Sequence, residues 1–176
     1  MINYIQSKKG NTECLIDITV ISKIQDIKTS EFIKNYKISN FFRGKFFIKR
    51  LINKIFKYKI NKSLKWKKDF WLNIEILAIE IDINFSNQFK NISDFENHIN
   101  RNFNTKRLNN IYQYKKNFEK NISMSNPLYI SGECINYLGG QVKENEIFML
   151  DGSRRLVAKI LSYSKKNQIY LINYKK

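Results

Sequence analysis

One short stretch constrains this chain more than any other. Ile147-Phe-Met-Leu150 is an uninterrupted apolar run, and Asp151-Gly-Ser-Arg-Arg155 follows it directly. A continuous apolar run of this length reads as a strand buried on both faces. Beyond the turn, Leu156, Val157, Ile160 and Leu161 recur at helical spacing, so a helix begins within three residues of the strand's end. A buried strand that turns at once into an amphipathic helix belongs to a sheet covered by helices, an α/β arrangement.

The same junction is the strongest candidate for an anion site. The first amides of a helix lack internal partners and point outward, and the macrodipole adds positive charge there. That pairing suits phosphate, and a glycine lets a ligand approach the backbone. Gly152 sits at the turn, Ser153 can cap the helix or donate its hydroxyl, and Arg154 and Arg155 add two forked guanidinium groups. The chain has twenty-six lysines and six arginines, and two of the six are adjacent here. Where lysine is the default cation, adjacent arginines point to geometry as well as charge. The alternative is a capped helix whose arginines pair with carboxylates such as Asp151 or Glu133.

Upstream, Leu15 to Ile21 reads as a strand, and Thr29-Ser30 before Glu31 as a helix start. From Phe41 to Phe70 there are eleven basic residues and one acid, Asp69. Within this stretch Lys45 to Tyr58 has a helical period, with Phe47, Ile48, Leu51, Ile52, Ile55 and Phe56 against Lys49, Arg50, Lys54 and Lys57. Its apolar face can pack on the chain's own core, lie on an anionic membrane surface, or sit beside nucleic acid or a partner. Ile79 to Phe85 alternates as a half-buried strand whose polar side carries Glu80 and Asp82. Ser93-Asp-Phe-Glu96 reads as a capping box opening a helix with Phe95, Ile99 and Phe103. A second helix is predicted over Thr105 to Glu119, strands at Leu128 to Ile130 and Ile169 to Ile172, and a turn at Gly139-Gly140 between short strands.

The net charge of +17 favours anionic partners. Cys14 and Cys134 are too far apart for a zinc or disulfide framework, and His98 is the sole histidine. A histidine-based metal site and a Ser-His-Asp triad are therefore excluded, and reduced thiols in a cytoplasmic setting are expected. Met1 to Gly10 lacks the apolar core of a signal peptide, and no apolar run approaches the ~20 residues of a membrane span.

The segment Met149-Leu-Asp-Gly-Ser-Arg-Arg-Leu-Val-Ala158 resembles the phosphate-binding motif of the ParB/sulfiredoxin superfamily, a Gly-x-x-Arg-type turn after a buried strand. The resemblance extends to Asn126-Pro-Leu-Tyr-Ile130, to the closing strand at Ile169 to Ile172, and to an opening strand and helix at Ile79 to Phe85 and Ser93. It covers roughly residues 72 to 176. It implies a small mixed sheet with flanking helices, preceded over residues 1 to 71 by a basic, mainly helical region with one short strand. It also implies that Gly152, Ser153, Arg154 and Arg155 surround the phosphates of a nucleotide, ATP, ADP or CTP, with Mg2+ as a companion, and that Asp151 shapes the turn. Ser153 stands where sulfiredoxins carry a catalytic cysteine, so sulfinic-acid reduction is not expected. Ser153 also replaces the glutamate that matters for CTP turnover in partition ParB proteins. Ser153 and Arg154 replace the histidines of the ParB-like serine kinases. If the chain is a phosphotransferase or nucleotide hydrolase, its base would come from Glu80, Asp82 or Glu133. The competing readings are a basic nucleic-acid-binding protein without catalysis and a peripheral membrane protein.

Overall fold

The computed structural model describes residues 5–6, 16–35, 49, 52, 69–85, 89–162 and 167–175. Six strands form one mixed sheet: β1 (Ile5–Gln6), β2 (Ile16–Ile27), β3 (Ile74–Phe85), β4 (Leu128–Ser131), β5 (Glu146–Asp151) and β6 (Asn167–Tyr174), in the order β1-β5-β4-β6-β3-β2. β1 runs parallel to β5 and β4 parallel to β6, while the other neighbours are antiparallel. Five helices accompany them: α1 (Thr29–Asn35), α2 (Ile92–Asn102), α3 (Thr105–Glu119), α4 (Gly132–Tyr137) and α5 (Ser153–Leu161).

Both faces of the sheet are covered. Leu77, Ile79 and Ile81 of β3, Tyr129 of β4, and Ile169 and Leu171 of β6 pack beneath Phe95 and Ile99 of α2, Ile111 of α3, and Leu156, Ala158 and Leu161 of α5. The alternate residues Ile74, Ile76, Leu128, Ile130, Phe148, Leu150 and Ile172 meet Phe32 of α1, Ile52, Phe70, and Cys134, Ile135 and Leu138 of α4. Two buried faces explain why β3 and β5 lack clean alternation in burial. β3 starts at Ile74, five residues before the predicted Ile79, because Ile74 and Ile76 serve the second face.

The described residues before position 72 share this sheet and this core. β2 pairs with β3 from Ile16↔Phe85 to Ile27↔Ile76, and β1 pairs with β5. The expected boundary between residues 71 and 72 is therefore not a structural one among the described residues. β2 also runs twelve residues where a short strand was expected. The predicted Lys45–Tyr58 helix lies outside the described residues except at two positions. Lys49 and Ile52 are both helical, and Ile52 is fully buried in the second core.

Other local signals need adjustment. α2 is capped by Asn91, whose side chain accepts from the Asp94 amide at 2.9 Å, while the Asp94 carboxylate accepts from the Lys90 amide at 3.2 Å. The box thus begins two residues before Ser93. α3 has the predicted limits, with Asn104 as its cap. The Gly139-Gly140 turn follows a helix, α4, rather than a strand. Ser131 caps that helix, and Cys134, Ile135 and Leu138 line its buried side.

Candidate functional site

β5 ends at Asp151, and the chain enters α5 through Gly152 in the left-handed conformation, φ +93°. Glycine is needed at this point for two reasons. Positive φ strains other residues, and a Cβ here would lie 2.8 Å from Pro127 Cα and 3.1 Å from Pro127 Cβ. The close approach that glycine permits is therefore to the chain's own Pro127. Gly152 is the N-cap and Ser153 the first helical residue, so Ser153 does not cap the helix.

The two arginines have different surroundings. Arg155 Nη2 donates to Asp151 Oδ2 at 2.5 Å, and Nη1 donates to the Ser125 carbonyl at 3.0 Å and to the Ser125 hydroxyl. The Arg155 side chain is 13% exposed and that of Asp151 27%. This ion pair joins the end of β5 to the first turn of α5, and the Ser125 bonds tie both to the segment entering β4. Arg155 thus holds the turn together, as the ion-pair alternative anticipated. Arg154 is exposed, and among the described residues it has no ion pair or hydrogen bond to its side chain.

A third arginine, which the sequence did not single out, joins this end. Arg107, in the first turn of α3, lies with its guanidinium carbon 3.6 Å from the centre of the Phe103 ring. Burial lowers its pKa from the ordinary guanidinium value, and the like charge of Arg154 lowers it further. The N-terminal ends of α3 and α5 therefore come together. Neither helix has an acid in its first turn, whereas α1, α2 and α4 carry Glu31, Asp94 and Glu133 there. Cations at helix N-termini oppose the macrodipole. Arg107 and Arg154 accept that placement, and they repel each other as well. The only sequence cue for Arg107 was that it is one of six arginines.

The three carboxylates considered as bases lie elsewhere. Asp151, Leu128, Tyr170 and Ala78 form one level across β5, β4, β6 and β3. β3 is thus three strand spacings from β5, about 14 Å. Glu80 and Asp82 also lie on the face opposite α5, because Ile79 and Ile81 take the face that α5 covers. Glu80 accepts a 3.4 Å hydrogen bond from Ser22, and Asp82 accepts from the Ile83 amide. Glu133 opens α4 after β4, which is antiparallel to β5, so it sits at the other end of the sheet. Sequence spacing placed these acids near the turn only in number; strand order separates them in space.

Other reactive groups do not converge on the turn. Burial pushes the Cys134 thiol up to about 12, which removes it as a nucleophile near neutral pH. Among the described residues no three His, Cys, Asp or Glu side chains are grouped to hold a metal ion. An open hollow of about 660 Å³, lined by residues that include Asn136, Lys143 and Glu146, lies at the start of β5, away from Asp151. No described helix is long and apolar enough to cross a membrane. Compared with known proteins, the chain matches no family model, no curated protein and no solved structure.

Proposed function

We propose that this chain is a ParB/sulfiredoxin-like protein that binds nucleotide phosphates at the N-terminus of α5. Arg154 is the cation that meets the phosphates, and Arg107 stands behind it. The observation that carries this reading is the positive end shared by α3 and α5: two helix N-termini, two arginines that repel each other, and no first-turn acid. A phosphate there would accept from the first amides of α5 and relieve the repulsion. Arg155 and Asp151 shape the turn instead of touching the ligand. ATP, ADP and CTP all offer the required oxygens, and Mg2+ bound with the nucleotide would offset part of the phosphate charge.

Phosphotransfer needs a general base within hydrogen-bond reach of the acceptor, roughly 3 Å. Glu80, Asp82 and Glu133 are not placed for that, and Asp151 is already paired with Arg155. The function supported best is therefore binding. The membrane-surface alternative loses ground at Ile52, an apolar-face residue of the basic helix that is buried in the chain's own core.

Titration of ATP and CTP with Mg2+, followed by calorimetry, tests the site. Arg154→Ala is expected to weaken binding about ten- to a hundredfold, the value of one or two charge-assisted hydrogen bonds. Unchanged affinity in that variant removes the site.

A further inference from the structure

The end of the sheet where β3 begins and β6 finishes carries a surface that the nucleotide reading leaves unused. Tyr174 of β6, Tyr137 of α4, Phe70 and Trp71 form a row of rings, with centre-to-centre steps of 4.9, 6.3 and 5.1 Å. Phe70 is fully buried in the second core, whereas Trp71, Tyr137 and Tyr174 are half-buried. Leu72 comes next in the chain and is 74% exposed. That exposure is built into the turn. The Leu72 amide donates to the Asp69 carbonyl at 2.9 Å, and the Asn73 side chain donates to the Asp69 carboxylate at 2.9 Å. The Leu72 carbonyl in turn accepts from the Lys175 ammonium at 2.9 Å. The turn is thus tied to itself and to the end of β6, and it holds a leucine side chain in water beside three partly exposed rings. Two carboxylates flank the row. A hydrogen bond to Asp69 raises the pKa of the Tyr137 hydroxyl, and Glu133 lies one helical turn before Tyr137 on the same face of α4.

We infer that this surface docks a partner protein, through a segment that presents arginine next to a bulky apolar residue. Tryptophan and tyrosine are the side chains that most often carry the energy of an interface. A turn already held in its binding shape loses little entropy when a partner arrives. Leu72 supplies apolar contact, and the rings with their two carboxylates select a cation. A guanidinium suits them better than an ammonium, because it is planar, stacks on aromatic rings and is more weakly hydrated. Nucleic acid or an anionic membrane would meet Asp69 and Glu133 with like charge. On a chain of net charge +17 the attraction for a basic segment has to be local, and here carboxylates and exposed rings coincide.

The test is fluorescence anisotropy of labelled peptides with the full chain: three Arg-Gly-Leu repeats, three Lys-Gly-Leu repeats and three Glu-Gly-Leu repeats. The arginine peptide should bind about fivefold more tightly than the lysine peptide. Leu72→Ala should weaken the arginine peptide about tenfold, by loss of buried apolar surface. Tyr174→Leu keeps the apolar bulk and removes the ring, and should weaken it about threefold. Ile122→Ala, at a second exposed apolar side chain, should stay within about twofold of the parent. Far-UV circular dichroism establishes that each variant is folded, and Leu72→Ala, at an exposed position, keeps the test open if Tyr174→Leu unfolds. The glutamate peptide can bind elsewhere on a cationic chain, so its affinity should not change in Leu72→Ala. Absence of arginine-peptide binding at about 1 mM would overturn the assignment. Equal loss in Ile122→Ala, or equal loss of the glutamate peptide in Leu72→Ala, would show unselective apolar contact and overturn it as well. So would a Leu72→Ala variant that loses binding to duplex DNA or anionic vesicles and keeps the arginine peptide. Nucleotide affinity should be unchanged in Leu72→Ala, so this surface and the α5 turn stand or fall separately.

Discussion

The N-termini of α2 and α5 solve the same problem in opposite ways. α2 begins with a side-chain cap from Asn91 and has Asp94 in its first turn, so its exposed amides and its dipole are both answered from within the chain. α5 begins at a left-handed glycine with no side chain to cap it, no acid in its first turn, and Arg154 pointing outward. The first arrangement maximises local stability. The second forgoes that stability and leaves an anion-shaped end. Water or a ligand completes an end of this kind, and the proposed phosphate at α5 rests on this contrast.

The comparison can be broken most severely at Gly152. Gly152→Ala forces a side chain into positive φ and against Pro127, and should cost about 3 kcal/mol in urea unfolding. A cost below about 1 kcal/mol would mean that the β5–α5 junction relaxes freely and that its geometry is not fixed by Pro127. At α2, Asn91→Ala removes an ordinary cap and should cost about 1 kcal/mol with no change in nucleotide affinity. Affinity that moved with it would link α2 to the site. The smallest effect on stability is the most informative. Arg154→Glu gives α5 the first-turn acid that α1, α2 and α4 possess, and should stabilise the fold by about 0.5 kcal/mol while abolishing nucleotide binding. Lower stability in Arg154→Glu would show that Arg154 has a structural partner, and the contrast with α2 would vanish.

Much of the fold was legible because it is written in local periodicity. α3 could be delimited at both ends from Thr105 and the recurrence of Leu108, Ile111, Tyr112 and Phe118. The β5–α5 junction followed from an apolar run meeting a 3.6-residue pattern. α4 escaped because it is only six residues long, although Ser131 as a cap and the Cys134-Ile135-Leu138 spacing were available signals. The extension of β2 over Ser22 to Ile27 escaped because its residues are exposed or half-buried on an edge strand, where no alternation is enforced.

The candidate site was only half readable. That a turn with Gly152, Ser153, Arg154 and Arg155 opens a helix after a buried strand is a matter of neighbours in sequence, and the sequence settles it. Which arginine is engaged depends in part on Ser125, thirty positions away, which joins the local Asp151 in taking the Arg155 guanidinium. Pro127 occupying the space beside Gly152, Arg107 arriving from α3, and Glu80, Asp82 and Glu133 being placed away from the turn all depend on strand order. Helical and strand periods arise from contacts a few residues apart, so they are encoded locally. The charge left over at a surface is the sum of long-range pairings, and only the tertiary structure decides that sum.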